Sequence, residues 1–205
     1  MLEQGRRTRR RGLRIATAIL ATAAAAGCGQ LQREGTGSSY LIVSALEGAS
    51  GAEPDKFGGS LFADVITTKD GVTGVYADLA KVTFSLAMKD ATSATAPTTA
   101  NFITVDRYHV QFIRADGRNT PGVDVPYGFD GAFTATIGDK GGGGVFTIVR
   151  HIAKEESPLM ALRVNGVIIS TLAEVTFYGH DQTGREATAS ARISIDFGNF
   201  ADPKS

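Results

Sequence analysis

The sequence predicts an all-β fold, an antiparallel β-sandwich of about eight or nine short strands joined by enlarged loops. Three observations predict it. After residue 28 no window of about 11 residues or more carries its apolar side chains at a helical period. Several segments instead alternate apolar and polar residues with period two, separated by turns rich in glycine. The last two segments form a hairpin pattern, long on both sides, around a polar turn.

The chain of 205 residues opens with a segment that stands outside fold reasoning. Arg6, Arg7, Arg9, Arg10, Arg11 and Arg14 make a basic stretch, and residues 15–26 follow as an uncharged apolar run. That run is shorter than the roughly 20 residues a membrane span needs, and has the length of an export-signal core. Ala25-Ala26-Gly27 then leads to Cys28, the only cysteine in the chain. The pattern resembles a bacterial lipoprotein signal, although Ala25 stands where leucine is usual. The resemblance implies cleavage before Cys28, lipid attachment on Cys28 and residence on the cell envelope. Gly29, in place of an aspartate, favours the outer membrane. The alternative is a plain secretory signal cut after Gly27 or an earlier alanine, which would leave a secreted or periplasmic product. Several acyl chains hold a protein stably on a bilayer, at about 0.8 kcal/mol per buried methylene.

The organisation expected is thus a signal over 1–27, a flexible polar tether over 28–39, a sandwich domain over 40–200 and a short tail over 201–205. Lysine plus arginine and aspartate plus glutamate balance at 21 each. Six of the basic residues precede Cys28, so the remainder is acidic and offers no basic patch for nucleic acid. With Cys28 acylated, no thiol is left for a disulfide or a zinc site.

Within the domain, residues 40–46 form a compact apolar run. Residues 61–67 lie between Gly58-Gly59 and the turn signal Asp70-Gly71. Residues 77–81 have room for one helical turn. Val82, Phe84, Leu86 and Met88 then alternate with Thr83, Ser85 and Ala87, the mark of a half-buried strand. Residues 89–101 and 116–131 are the two large loops. Between them Tyr108, Val110 and Phe112 share one face of a strand, with Arg107, His109 and Gln111 on the other. Gly141–Gly144 reads as a flexible connection into the strand Val145-Phe146-Thr147-Ile148-Val149. Lys154-Glu155-Glu156 reads as a solvated charged turn.

Ala173, Val175 and Phe177 occupy one face of the penultimate strand. Ala187, Ala189, Ala191, Ile193, Ile195 and Phe197 occupy one face of the last, opposite Thr188, Ser190, Arg192, Ser194 and Asp196. Asp181-Gln182-Thr183-Gly184 turns between them. The run from Val175-Thr176-Phe177-Tyr178-Gly179 through Ile193-Ser194-Ile195 resembles the closing strands of immunoglobulin-like and fibronectin type III domains, which implies an immunoglobulin-like sandwich. The resemblance covers about a fifth of the chain, and the cysteine pair and tryptophan of antibody domains are absent.

The loop from Asp116 to Asp130 is the candidate recognition surface. Asp116, Asn119, Asp124 and Asp130 supply oxygen ligands of the kind calcium takes, and Tyr127 offers a contact. The plainer alternative is that these side chains cap turns, since their spacing matches no EF-hand. His109, His151 and His180 show no metal-ligand spacing, and neither a G-x-S-x-G elbow nor an H-E-x-x-H motif occurs. No catalytic residue and no cofactor is assigned, calcium aside. The reading is therefore a non-enzymatic, lipid-anchored envelope module that contacts a protein or a glycan through its loops or a sheet face. A hydrolase assembled from loops is one alternative. A carbohydrate-binding sandwich is the other, with Tyr108, Tyr127 and Tyr178 as its platform.

Overall fold

The computed structural model describes residues 37–90, 92 and 97–202. The expected signal, Cys28 and most of the expected tether lie outside the described residues. So do part of the 89–101 loop and residues 203–205.

The described chain is mostly β-strand. Its strands are β1 (Ser39–Ala49), β2 (Ser60–Asp64), β3 (Thr67–Lys69), β4 (Val72–Gly74), β5 (Asp78–Met88), β6 (Ile103–Ile113), β7 (Phe129–Ile137), β8 (Gly142–Val149), β9 (Ile169–Asp181) and β10 (Glu186–Gly198). The only α-helical pieces among the described residues are two single turns, α1 (His151–Lys154) and α2 (Leu162–Asn165). A turn of four residues cannot display a 3.6-residue period, so the sequence left both unmarked.

Two sheets share one core. One has the order β1-β5-β8, the other β2-β10-β9-β6-β7, and β3 and β4 form a separate hairpin. Every pairing is antiparallel except that of β2 with β10, which is parallel. That pair departs from the all-antiparallel expectation. It arises because residues 50–59 carry the chain from the end of β1 across to the other sheet. Phe84 of β5 and Phe146 of β8 face Phe133 of β7 and Phe177 of β9, with ring centroids 4.9–6.1 Å apart in edge-on or near edge-on contact. Such aromatic pairs contribute about 0.5–1.5 kcal/mol each beyond the area they bury.

The closing hairpin forms in register. Ala191 lies opposite Val175 and Ile193 opposite Ala173, so the apolar faces of the two strands coincide. Ile193, Ile195, Phe197, Ala173, Val175 and Phe177 are buried, while Thr188, Ser190 and Arg192 are exposed. Asp70 and Gly71 both take positive φ, 53° and 77°, and join Lys69 to Val72 as a two-residue hairpin turn.

Three local expectations are corrected. Residues 77–81 form no helical turn, because Asp78 opens β5 and pairs with Val149 and, in the other sheet neighbour's place, the loop at Gly51 hydrogen-bonds its side chain. Gly142–Gly144 lie within β8 instead of in a flexible connection. A Cβ at Gly143 would stand 2.1 Å from the Val82 carbonyl oxygen, so glycine is what allows β8 to pair closely with β5 there. Lys154 is no solvated residue. It is 1% exposed and meets Asp78 inside the protein.

Candidate functional site

The long loop between β6 and β7 is ordered by its own side chains. Arg114 leaves β6 and donates from its backbone N–H to Asn119 Oδ1 at 2.6 Å. Its guanidinium donates to Asp116 from Nε and Nη2 at 3.1 and 2.6 Å. Arg118 donates to the same carboxylate from Nε and Nη2 at 3.0 and 2.8 Å. These bonds, led by those from Arg114, hold the Asp116 carboxyl below the usual carboxylate range. Asp124 Oδ2 accepts from the Thr120 N–H at 3.2 Å, closing a turn. Val125 is buried and pins the loop to the core. Gly122 takes φ 75°, and a Cβ on it would come within 2.3 Å of the Tyr127 hydroxyl oxygen, so the tyrosine ring lies across this glycine.

The five residues singled out from the sequence thus separate. Asp116, Asn119 and Asp124 serve the loop's own backbone and arginines. Asp130 lies across the β6–β7 pair, where its Oδ1 is 3.1 Å from His109 Nδ1. Tyr127 remains more than half exposed. Among the described residues no group of three or more histidine, cysteine, aspartate or glutamate side chains could hold a metal ion. Calcium here would have to displace two guanidinium groups from Asp116, while Asn119 and Asp124 cap turns and Asp130 meets His109.

The outer face of the five-stranded sheet divides into two halves. Toward the β9–β10 turn it is polar. Arg107 stacks over Tyr178 at 4.2 Å, His180 Nδ1 lies 3.3 Å from Asp106 Oδ2, and Thr176 and Ser190 share a 3.0 Å hydrogen bond across the hairpin. Tyr178 therefore presents a ring already covered, and Tyr108 is buried, so the tyrosine platform expected for sugar binding does not form. Only Tyr127 of those three stays available.

Toward the other end of the same sheet the surface turns apolar. Phe62 on edge strand β2 packs edge-on against Phe200, with centroids 5.5 Å apart. Phe200 and Ile168 both close over the outer side of Gly198, where a Cβ would stand 3.2 and 3.3 Å from them. Phe62 is 58% exposed and Ile168 54%, and Val164, four residues before Ile168, is 91% exposed. A groove of about 270 Å³ runs beside this patch, between β2 and the 50–58 segment, and shares Phe62 and Phe200 with it. Nothing in the sequence pattern marked this cluster, because Phe62 lies at the outward position of a five-residue strand and the other members come from connecting segments.

A different arrangement lies inside. Asp78 and Lys154 are 0% and 1% exposed. Lys154 Nζ is 2.8 Å from Oδ1 and 2.7 Å from Oδ2 of Asp78, and the Gly51 N–H donates to Oδ1 at 2.9 Å. Burial pushes the Asp78 carboxyl up, and the lysine only partly offsets it. The arginine of α2, Arg163, donates to the Lys154 carbonyl at 2.9 Å and fixes the end of α1. The sequence did hold a signal for Asp78, since it shares parity with Ala80, Val82 and Phe84, so that an acid falls on a buried face. No equivalent signal marked Lys154.

No protein-family model matches the chain, and no curated protein matches it.

Proposed function

We propose that this protein is a non-enzymatic, lipid-anchored module of the cell envelope whose immunoglobulin-like sandwich holds a partner protein against the apolar end of its five-stranded sheet. The strand orders β1-β5-β8 and β2-β10-β9-β6-β7 support the immunoglobulin-like reading, because two sheets closed by the last two strands are the pattern of those domains. The lipid anchor rests on Cys28 and the segment before it.

The observation that carries the proposal is the apolar cluster in which exposed Phe62 and Ile168 flank half-buried Phe200. Single exposed apolar side chains are ordinary, whereas a contiguous group marks a contact surface. Its position also suits an anchored protein. Gly37, two residues before β1, lies beside Arg185, the residue before β10. The cluster sits at the far end of that 13-residue strand, and at about 3.3 Å per residue the two lie roughly 40 Å apart. An anchor on that side would put the apolar patch at the end of the strand farther from the attachment point.

Site-specific photo-crosslinking in the producing cells tests this. A crosslinker at position 62 or 168 should capture one discrete protein, while the same group at Val145, exposed on the other sheet, should not. Absence of adducts at 62 and 168, or the same adducts at 145, would sink the binding surface. Release of the protein from membranes by Cys28→Ser tests the anchor separately.

A further inference from the structure

We propose that Lys154 and Asp78 form an intramolecular amide bond, an internal covalent clasp between β5 and the turn of α1.

The placement brings the two groups that would condense into direct contact. The amine nitrogen sits within 2.7 and 2.8 Å of the two carboxyl oxygens, held there by a strand on one side and a helical turn on the other. Holding two reacting groups in this way replaces a collision in solution with an effectively unimolecular step. The Gly51 N–H already points at Oδ1, where negative charge would gather as the carbonyl is attacked. Water, which would favour hydrolysis, is shut out from both side chains.

The step balances without any other reactant. A proton passes from the lysine ammonium to the carboxylate, giving a neutral amine and a neutral acid with the proton on Oδ2. The nitrogen lone pair then forms a bond to Cγ, and the carbonyl electron pair moves onto Oδ1, facing the Gly51 N–H. An amine proton passes to Oδ2, the Cγ–Oδ2 bond breaks, and that oxygen leaves as water while the carbonyl re-forms. Carboxylate and ammonium become an amide and one water, and nothing is oxidised or reduced. Two trends favour it. The raised Asp78 carboxyl, to which the nearby Asp64 charge contributes, eases the first proton transfer. An amide also carries no charge, so the cost of keeping a buried ion pair out of water disappears.

The clasp would also answer a need of the chain. Its only cysteine is Cys28, so no disulfide can close the domain. A bond between residues 78 and 154 encloses β5, β6, β7 and β8, half of the strands of the two core sheets, and restricting the unfolded chain in that way is how a covalent cross-link stabilises.

Peptide mapping of the full protein decides the matter. Trypsin acting on the denatured chain should yield residues 151–163 joined to residues 70–81, lighter than the two together by one water, with no cleavage after Lys154. Asp78→Ala should restore cleavage after Lys154 and release 151–154. If that variant does not fold, the map of the unaltered protein still gives the answer. Recovery of 151–154 and 70–81 only as separate peptides from the folded protein would overturn the proposal and leave a buried ion pair.

Discussion

The Tyr108 hydroxyl donates a hydrogen bond to the Thr147 carbonyl at 2.9 Å, and this bond crosses from the five-stranded sheet to the three-stranded one. The ring of Tyr108 lies 4.6 Å from that of Phe146, beside Thr147. One side chain thus adds a directional link to an otherwise apolar contact between the sheets. Burial also pushes the Tyr108 hydroxyl up from its ordinary value, so it stays a donor at every physiological pH. Tyr108→Phe keeps the ring and removes the bond. We expect it to lower stability by about 1 kcal/mol, which for a domain of this size is a fall of roughly 2–4 °C in Tm. Calorimetry showing no change would mean that the bond adds nothing to sheet docking.

The closing hairpin should show one sensitive face and one tolerant face. Ile193→Ala or Ile195→Ala empties a fully packed position and should cost about 2–5 kcal/mol. Thr188 points outward from the same strand, and Thr188→Ala should change stability by less than about 0.5 kcal/mol. Chemical denaturation of the three variants checks this, and equal losses on both faces would mean that the outer face is covered in the working protein.

These contrasts explain what could be read in the chain beforehand. Where side chains alternate over a long strand, as in Val82 to Met88 or Ala187 to Phe197, the sequence carries its own two-residue period and the buried face is legible. Gly142–Gly144 carry no side chains and hence no period, so a strand there became visible only through its close pairing with β5. Asp78 broke the apolar pattern of its strand because its partner is distant, and a single lysine in a charged run gave no sign of being that partner. In the β6–β7 loop the residue types were legible but their use was not. Whether an aspartate faces a metal or two arginines depends on backbone turns that composition does not encode.

Acid should leave the Arg114–Asp116–Arg118 contact intact longer than it leaves an ordinary aspartate ionised. The Asp116 carboxyl is held down by hydrogen bonds first from Arg114 and then from Arg118. A group depressed in the folded state lends stability above its unfolded value of about 3.9, and that contribution is lost only as the pH falls below it toward the folded value. Carboxyl carbon shifts followed by NMR should therefore show Asp116 still ionised at about pH 3. Titration near the ordinary value would mean that the two guanidinium contacts do not persist in solution. Arg118→Gln should move the transition upward.

Removing the amine from the interior should produce a defect that acid relieves. Lys154→Met leaves the Asp78 carboxyl buried with only the Gly51 N–H for a partner. Losing the lysine removes the clasp and also leaves an uncompensated carboxyl out of water, and the second effect alone costs about 3–5 kcal/mol. The sign of the pH dependence follows from the direction of the shift. Burial raises the folded-state carboxyl, and the lysine that lowers it is gone in the variant. A raised acid binds its proton more tightly folded than unfolded, so stability is lost as pH rises from the unfolded value through the folded one. The variant should therefore lie closer to the parent protein at about pH 5 than at about pH 8 in urea unfolding. Adding Asp78→Leu should remove that pH dependence, and should recover stability if the leucine packs, since an apolar pair can replace a buried ionic one at little cost. An equal deficit at both pH values in Lys154→Met would show that water reaches Asp78 once the lysine is absent.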